Sequence, residues 1–299
     1  MEVSMDLVVG ATGLVGQQIA LGLRRQGRKV RALVRGGTRH EKGASLMAAG
    51  VEIFDADLTK PETLPGACTG VETILCTATS MPHGKDDGLR CVDHDGTLAL
   101  IDSAERSGVQ NFVYTSYSGN IREDSPLETA KRDCEKRLLA SRMRATILRP
   151  SYFMEMWLSP ALGFDPANSR ARIYGSGDAK VSYISFHDVV AFALAVAANP
   201  SHPSAFLEMG GPEPLSQLDA VGIFERLLGR ECELEKVPLA ALEEQHRSAD
   251  PLQKTFAALM IGYAKGDTIP GSLETARQYG VTLHSISDYA APFRKAAGA

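Results

Sequence analysis

The nine residues 8–16, which read Val-Val-Gly-Ala-Thr-Gly-Leu-Val-Gly, decide the fold of this 299-residue chain. An apolar run ends at Val9, and apolar side chains at four-residue spacing follow, so the glycines stand between a strand and a helix. Gly10 permits a tight turn, Gly13 lets the backbone approach a pyrophosphate, and Gly16 lets the helix pack closely on the strand. The pattern predicts nucleotide binding at a helix N-terminus, and an ordinary turn between core elements is the alternative. The other loop residues expected at the nucleotide are Thr12, Leu14 and Val15.

Short β-like runs alternate with helical patterns through the first half of the chain. The runs are 6–9, 30–34, 51–54, 73–76, 112–115 and 146–148, and the helical patterns are 14–26, 41–49, 88–107 and 126–141. This alternation predicts an α/β fold, a Rossmann-type doubly wound parallel sheet. Ligands of such sheets bind at the carboxyl ends of the strands, so the residues after each strand are the candidates for a site.

Basic residues follow the second predicted strand, where an NAD site has an acidic residue. Arg35 can pair bidentately with a 2′-phosphate, and Arg39, Thr38 and Lys42 can add to that contact. One charge-assisted hydrogen bond contributes about 1.5–3 kcal/mol, which corresponds to roughly ten- to a hundredfold preference for NADP over NAD. The alternative is a solvated basic loop.

Two further strand ends carry candidate cofactor residues. Asp57 and Leu58 follow the third strand, where they are expected on the adenine side, although Asp57 also fits a helix cap. The small residues Thr77, Ala78 and Thr79 follow the fourth strand. They would let a ribose and a nicotinamide lie close to the backbone, and a plain loop is the alternative.

The fifth strand ends in a cluster of hydroxyl groups that includes Ser116 and Tyr117. On the next predicted helix, Lys131 lies one residue round from the buried face, so it can lean toward the cofactor. A lysine there can hold ribose hydroxyls or help protonate a reduced carbonyl. We therefore expect Lys131, Tyr117 and Ser116 to be catalytic, and the alternative is an exposed lysine paired with Glu135.

The second half of the chain changes character after the sixth strand. Tyr152, Phe153 and Trp157 lie in an aromatic stretch that is expected to face the substrate, with Tyr152 and Phe153 also near the cofactor. Core packing is an equally good explanation. Strands are expected at 173–175, 181–186 and 206–209, an irregular lid over 238–272, and a last helix over 286–297. These elements predict a Rossmann domain at 1–155 and a small C-terminal α+β substrate lobe at 156–299.

Composition excludes several classes of function. The net charge of −4 gives no electrostatic reason to expect nucleic acid or an anionic membrane as a partner, and no apolar run approaches the roughly 20 residues of a membrane span. The five cysteines are odd in number and widely spaced, which indicates buried thiols in a cytoplasmic protein rather than disulfides or a metal site. His187 has no partner ligands, and Asp188 fits a helix cap. A homodimer is compatible with the sequence.

These motifs together resemble the NmrA-like and isoflavone-reductase-like branch of the atypical short-chain dehydrogenases/reductases. The resemblance extends from residue 6 to about residue 216. The motifs that carry it are Gly-Ala-Thr-Gly-Leu-Val-Gly at 10–16, Val34-Arg35, Asp57-Leu58, Tyr114-Thr115-Ser116, Lys131 with Glu135, Leu148-Arg149-Pro150 with Phe153-Met154-Glu155, and Gly210-Gly211-Pro212-Glu213 with Ser216. It implies an NADP(H)-binding Rossmann domain and a lysine at the position of Lys131 that serves the cofactor and proton transfer.

Two functions stay open at this stage. The first is an NADPH-dependent oxidoreductase that transfers hydride to a small apolar carbonyl, quinone or enone. The second is an NADP(H)-binding redox sensor or regulator of the NmrA type without turnover. A sugar-nucleotide epimerase ranks third, because none of the tyrosines is followed four residues later by a lysine.

Overall fold

The computed structural model describes residues 4–81, 87–199 and 206–297. Its strands are β1 (Met5–Val9), β2 (Lys29–Val34), β3 (Glu52–Asp55), β4 (Val71–Cys76), β5 (Asn111–Thr115), β6 (Arg144–Pro150), β7 (Phe164–Asp165), β8 (Arg170–Tyr174), β9 (Lys180–Val181), β10 (Phe206–Met209), β11 (Leu215–Ser216) and β12 (Glu233–Val237). Its α-helices are α1 (Leu14–Arg25), α2 (Glu41–Ala48), α3 (Leu64–Cys68), α4 (Thr97–Arg106), α5 (Pro126–Leu139), α6 (Met154–Trp157), α7 (Phe186–Ala198), α8 (Gln217–Leu228), α9 (Leu239–His246), α10 (Pro251–Lys265), α11 (Ser272–Tyr279) and α12 (Ile286–Ala297). A π-helix covers Leu89–Gly96 directly before α4.

The main sheet has seven strands in the order β10-β6-β5-β4-β1-β2-β3. Neighbouring strands from β6 to β3 pair in parallel. Crossing from β3 to β4 reverses the direction in which strands are added, as in a Rossmann sheet. The predicted α/β fold with a doubly wound parallel sheet is confirmed. The carboxyl ends of β1 and β4 are neighbours in this order, and the expected cofactor residues follow both strands.

Two compact units divide the chain. Unit 1 comprises Met1–Ser116, Pro126–Leu148 and Val190–Leu207, and unit 2 comprises Tyr117–Ser125, Arg149–Val189 and Glu208–Ala299. Each unit has its own hydrophobic cluster, with Ile74 and Phe112 in that of unit 1 and Phe164 and Phe224 in that of unit 2. The expected boundary after residue 155 stays a prediction about where cofactor and substrate bind.

Three predicted elements were wrong in detail. The pattern over 88–107 begins as the π-helix and becomes α-helical only at Thr97. The strand expected at 181–186 is limited to Lys180–Val181, and α7 already begins at Phe186. The stretch 238–272 is largely helical, with α9 and α10. The side chain of Asp250 caps α10 by accepting two backbone N–H groups, and the following residue is proline, a good first helical residue.

Candidate functional site

The turn between β1 and α1 is packed so tightly that it requires glycine at two positions. A Cβ on Gly10, which has a φ of +87°, would lie 2.8 Å from both the backbone nitrogen of Ala78 and the Oγ1 of Thr77. A Cβ on Gly16 would lie 2.3 Å from the carbonyl oxygen of Gly10. Backbone atoms cannot give way as a flexible side chain can. The structure therefore brings the first and third glycines together with the residues that follow β4.

The N-terminus of α1 has free hydrogen-bond donors. Gly13 is the N-cap residue and is exposed, and as a glycine it has no side chain to cap the helix. The first turn contains no acidic residue, and Leu14 next to it is 63% exposed. The first N–H groups of a helix have no partner within the helix, and its dipole favours an anion there. A dinucleotide pyrophosphate fits this combination of a side-chain-free turn and a positive helix end.

An aspartate that the sequence did not single out holds the basic loop after β2. Asp55, the last residue of β3, accepts a hydrogen bond of 2.9 Å from the backbone N–H of Gly36, and it forms an ion pair of 3.2 Å with Arg39. Arg35 is exposed beside this loop. One feature of the sequence could have indicated Asp55: it is an acidic residue at the end of the predicted strand that follows β2. Asp55 orders a loop that still presents the Arg35 guanidinium to solvent.

Lysine 42 connects the basic loop to the glycine turn. Its Nζ donates a hydrogen bond of 2.7 Å to the carbonyl oxygen of Thr12. This contact brings a third cation, beside Arg35 and Arg39, to the edge of the predicted nucleotide site. Three cations on one side of the glycine turn fit the two negative charges of a 2′-phosphate.

Asp57 and Leu58 take local roles in the structure. Asp57 accepts a hydrogen bond of 2.9 Å from the N–H of Thr59, so its carboxylate closes a turn. Leu58 is 5% exposed and belongs to the core of unit 1. Thr79 is exposed, and its hydroxyl accepts a hydrogen bond from Met81. A contact of these three residues with the cofactor stays a prediction.

Lys131 is buried in unit 1. It is 5% exposed, its Nζ donates a hydrogen bond of 3.1 Å to the carbonyl oxygen of Thr115, and it lies 4.9 Å from the centre of the Tyr114 ring. Its burial argues against the alternative of an exposed lysine. An ammonium has three donors, and this hydrogen bond to the last residue of β5 uses one of them.

Ser116 carries an orphaned hydroxyl. Its backbone N–H donates to the carbonyl oxygen of Leu148, but its buried Oγ has no hydrogen-bond partner among the described residues. Buried hydroxyls usually have a partner, and a ligand group can supply one here. Tyr117, the third expected catalytic residue, belongs to unit 2 and packs half-buried against its core.

The thiols near Lys131 are not nucleophiles. Burial raises the pKa of Cys76 to about 11 and that of Cys134 to about 12, and the positive charge of Lys131 offsets this only in part. The buried Tyr114 hydroxyl likewise has a pKa well above its usual value. These groups stay protonated and neutral near pH 7.

The aromatic residues expected at the substrate form a packed cluster in unit 2. Tyr152 is 3% exposed, its hydroxyl donates to the carbonyl oxygen of Leu259, and its ring centre lies 4.7 Å from that of Trp157. Trp157 in turn lies 4.4 Å from Tyr263. Phe153 is half-buried and pairs with Ile184. These contacts favour the packing role, and contact with a substrate stays a prediction.

Two buried aspartates were missed from the sequence. In unit 1, Asp93 accepts hydrogen bonds of 2.8 and 2.6 Å from the N–H and the hydroxyl of Ser80. In unit 2, Asp267 accepts hydrogen bonds of 2.8 Å from the Ser118 hydroxyl and 2.9 Å from the Asn120 amide. The second carboxylate oxygen of each is buried, with no partner among the described residues. The sequence indicated burial of Asp93 only by placing an aspartate at an apolar position of a predicted helix. No sequence feature indicated burial of Asp267.

The pair His187-Asp188 has a structural explanation. Asp188 is buried, and its carboxylate pairs with Nδ1 of His284 at 2.5 Å and accepts the backbone N–H of His284 at 3.0 Å. Within the described residues, no group of three or more histidine, cysteine or acidic side chains is arranged to hold a metal ion. In the same ranges, every helix is too short or too polar to cross a membrane.

Comparisons with known proteins identify the family. Residues 4–262 match the NmrA-like family. Photosystem II assembly factor Ycf39 of Trieres chinensis is 30% identical over 243 residues, which cover 79% of this chain and 73% of that protein. The NAD(P)H azoreductase of Xenophilus azovorans is 27% identical over 278 residues, which cover 89% of this chain and 92% of that protein. The NADPH complex of the Escherichia coli NADPH-dependent quinone oxidoreductase QOR2 is 21% identical, with a TM-score of 0.78 over 97% of this chain and 99% of that one. This chain belongs to the NmrA-like family.

Proposed function

We propose that this protein is an NADPH-dependent oxidoreductase that transfers hydride to a small apolar carbonyl, quinone or enone. One observation carries the proposal: the glycine turn at Gly10 and Gly16 excludes side chains beside an uncapped helix N-terminus. That geometry fits a dinucleotide, and the 27% identical azoreductase is named for its use of NAD(P)H.

Different residues of unit 1 are proposed to bind different parts of NADPH. The turn from Gly10 to Gly16 holds the pyrophosphate with backbone N–H groups, and Arg35, Arg39 and Lys42 hold the 2′-phosphate. Thr77 and Ala78 leave room for the nicotinamide ribose. When bound, NADPH supplies the hydride.

Lys131 has two proposed roles in the reaction. Fixed by its hydrogen bond to Thr115, it donates its other N–H groups to ribose hydroxyls, and its charge stabilises the negative oxygen of the reduced substrate. Ser116 and Tyr117 are the proposed local proton donors. A quinone oxygen can also take its proton from water, so the missing tyrosine–lysine pair is no obstacle. Tyr152, Phe153 and Trp157 are the proposed substrate-facing residues.

A second candidate function is an NADP(H)-binding regulator without turnover. The observation that favours it is the 30% identity to Ycf39, which is named as an assembly factor and not as a reductase. The glycine turn would bind NADP(H) in an oxidoreductase and in a regulator alike. A measurement of turnover is therefore needed to distinguish the two functions.

The experiment that tests the proposal measures NADPH oxidation against a panel of quinones, aldehydes and enones. We expect turnover with at least one class, and a loss of about 100-fold in kcat/KM in Lys131→Ala, because a positioned acid–base group is worth that much or more. Lys136→Ala is the matched control, since Lys136 is an exposed lysine of the same helix α5, and it should behave as wild type. Tight NADPH binding without turnover of any substrate would favour the regulator.

A further inference from the structure

The loop that follows β4 is fastened by a buried carboxylate. Asp93 is fully buried, and one of its oxygens, Oδ2, accepts both the backbone N–H and the hydroxyl of Ser80. Two hydrogen bonds from Ser80 to one oxygen fix both the backbone and the side chain of that residue.

The π-helix that carries Asp93 is packed against two loops at positions where only glycine fits. A Cβ on Gly88, just before the π-helix, would lie 2.8 Å from the Cβ of Ser80. A Cβ on Gly96, its last residue, would lie 2.6 Å from the carbonyl oxygen of Leu58. π-Helical turns are rare and are found frequently at functional sites. The π-helix is thus held against the loops after β3 and β4, on the side of the sheet where ligands bind.

The segment 77–80 is therefore fixed at both ends. At its start, the Thr77 hydroxyl and the Ala78 nitrogen lie against the Gly10 turn, and at its end Ser80 is bonded to Asp93. The residues between these ends are the ones that would lie beside the nicotinamide half of the cofactor.

A stability role alone explains Asp93 poorly. Its other oxygen, Oδ1, is buried with no hydrogen-bond partner among the described residues. An unsatisfied oxygen on a buried carboxylate lowers stability, and an apolar or amide side chain would avoid much of that penalty. The hydrogen bonds of Asp93 to Ser80 therefore suggest a role beyond packing.

We propose that Asp93 is a positioning residue, whose bonds to Ser80 hold the segment 77–80 in the path that receives the nicotinamide half of NADP(H). The inference rests on the proposed function, because it requires that the protein bind this cofactor. It assigns no chemical step to Asp93. Its effect should appear in the affinity for the intact cofactor and be absent for the adenine half, which contacts the glycine turn and the basic loop.

The test compares two ligands, NADPH and 2′,5′-ADP, by fluorescence or calorimetric titration. Asp93→Ala should weaken NADPH about tenfold or more and 2′,5′-ADP less than about twofold. Asp93→Asn retains an oxygen that can accept from Ser80, so it should stay within about threefold of wild type for both ligands. Normal NADPH affinity in Asp93→Asn would show that the hydrogen bonds to Ser80, and not the carboxyl group as such, are required.

The outcomes separate the two proposals. If wild-type protein binds neither ligand, the proposed function is wrong, and the role of Asp93 is wrong with it. If wild type binds both, then unchanged NADPH affinity in Asp93→Ala, or equal losses for both ligands, would overturn the role of Asp93 alone. If Asp93→Ala does not fold, Ser80→Ala decides the question: about threefold weaker NADPH with unchanged 2′,5′-ADP supports the role, and unchanged NADPH overturns it.

Discussion

The loop after β4 and the loop after β5 are each held by a buried aspartate, but the two aspartates reach their serines across very different lengths of chain. Asp93 lies 13 residues from Ser80, and both belong to unit 1. Asp267 lies 149 residues from Ser118, and both belong to unit 2. The first loop contains proposed cofactor residues, and the second begins with Tyr117.

This difference indicates how substrate binding can change while cofactor binding is kept. The cofactor loop depends on a helix that follows it closely in sequence. The loop with Tyr117 depends on Asp267, which follows α10 in the last part of the chain. A change near the C-terminus should therefore alter the substrate side and leave the cofactor side intact.

The largest expected effect is that of Gly16→Val. The valine Cβ would lie 2.3 Å from the Gly10 carbonyl oxygen, so the turn must open, and we expect NADPH affinity to fall about 100-fold or more. Titration of NADPH fluorescence checks this. Gly222→Ala is the control: it adds a Cβ in helix α8 of unit 2, where only the flexible end of Arg226 is near. Normal NADPH binding by Gly16→Val would show that the glycine turn does not bind the cofactor. The contrast between a cofactor loop and a substrate loop would then lose its basis in unit 1.

Arg35→Ala should change cofactor preference without abolishing binding. Loss of one charge-assisted contact to a 2′-phosphate should lower the preference for NADPH over NADH roughly ten- to a hundredfold, as kcat/KM for the two cofactors will measure. Arg25→Ala, which removes an exposed arginine at the end of α1, should leave the preference unchanged. An unaltered preference in Arg35→Ala would mean that the loop after β2 is only a solvated basic loop.

Asp267→Ala tests directly whether the loop after β5 can be perturbed without an effect on the loop after β4. It removes the carboxylate that accepts hydrogen bonds from Ser118 and Asn120, so the loop that begins with Tyr117 is held less firmly, while segment 77–80 keeps its bond to Asp93. We expect the KM for the substrate to rise about tenfold and the Kd for NADPH to stay within about twofold. Steady-state kinetics and direct titration of the same preparation measure both. A parallel loss of NADPH affinity would show that the two loops are not independent.

His284→Ala should have the smallest effect on activity and a measurable effect on stability. Asp188 and His284 both belong to unit 2, and neither is a proposed site residue. The variant leaves the buried Asp188 carboxylate without its imidazole partner, which should lower the free energy of unfolding by about 1–3 kcal/mol. Thermal unfolding is the measurement, with substrate and NADPH kinetics expected to match wild type.

The same variant has a predicted pH dependence. Burial raises the pKa of Asp188 above its ordinary value of 3.8, and the hydrogen bonds from His284 oppose the rise. Because the folded state holds this proton more tightly, the contribution of Asp188 to stability falls as pH rises from about 4 through the raised pKa. Without His284 the pKa rises further, so Tm should fall more steeply with pH in the variant. Parallel slopes would contradict the assigned pair.

The sequence predicted what is encoded locally. The alternation of strands and helices predicted the sheet, and the strand–glycine–helix pattern predicted the tight turn at Gly10 and the close approach of Gly16 to it. The burial of Lys131 depends on where α5 packs, and its sequence position one residue round from the apolar face left two alternatives open. Asp267 was unpredictable, since no periodicity connects it to Ser118 across 149 residues.

β10 is an edge strand of the main sheet, and its residues 206–209 follow β6 only after residues 151–205, which include one segment of unit 2. During synthesis at roughly 5–20 residues per second, about 3–11 seconds pass between the completion of β6 and the start of β10. Over that interval its outer edge has unpaired backbone groups, which are a template for strands of other chains. The nascent protein should therefore be most vulnerable to aggregation between the completion of β6 and the arrival of β10, a window that a trigger-type chaperone or a pause in translation would shorten or prolong.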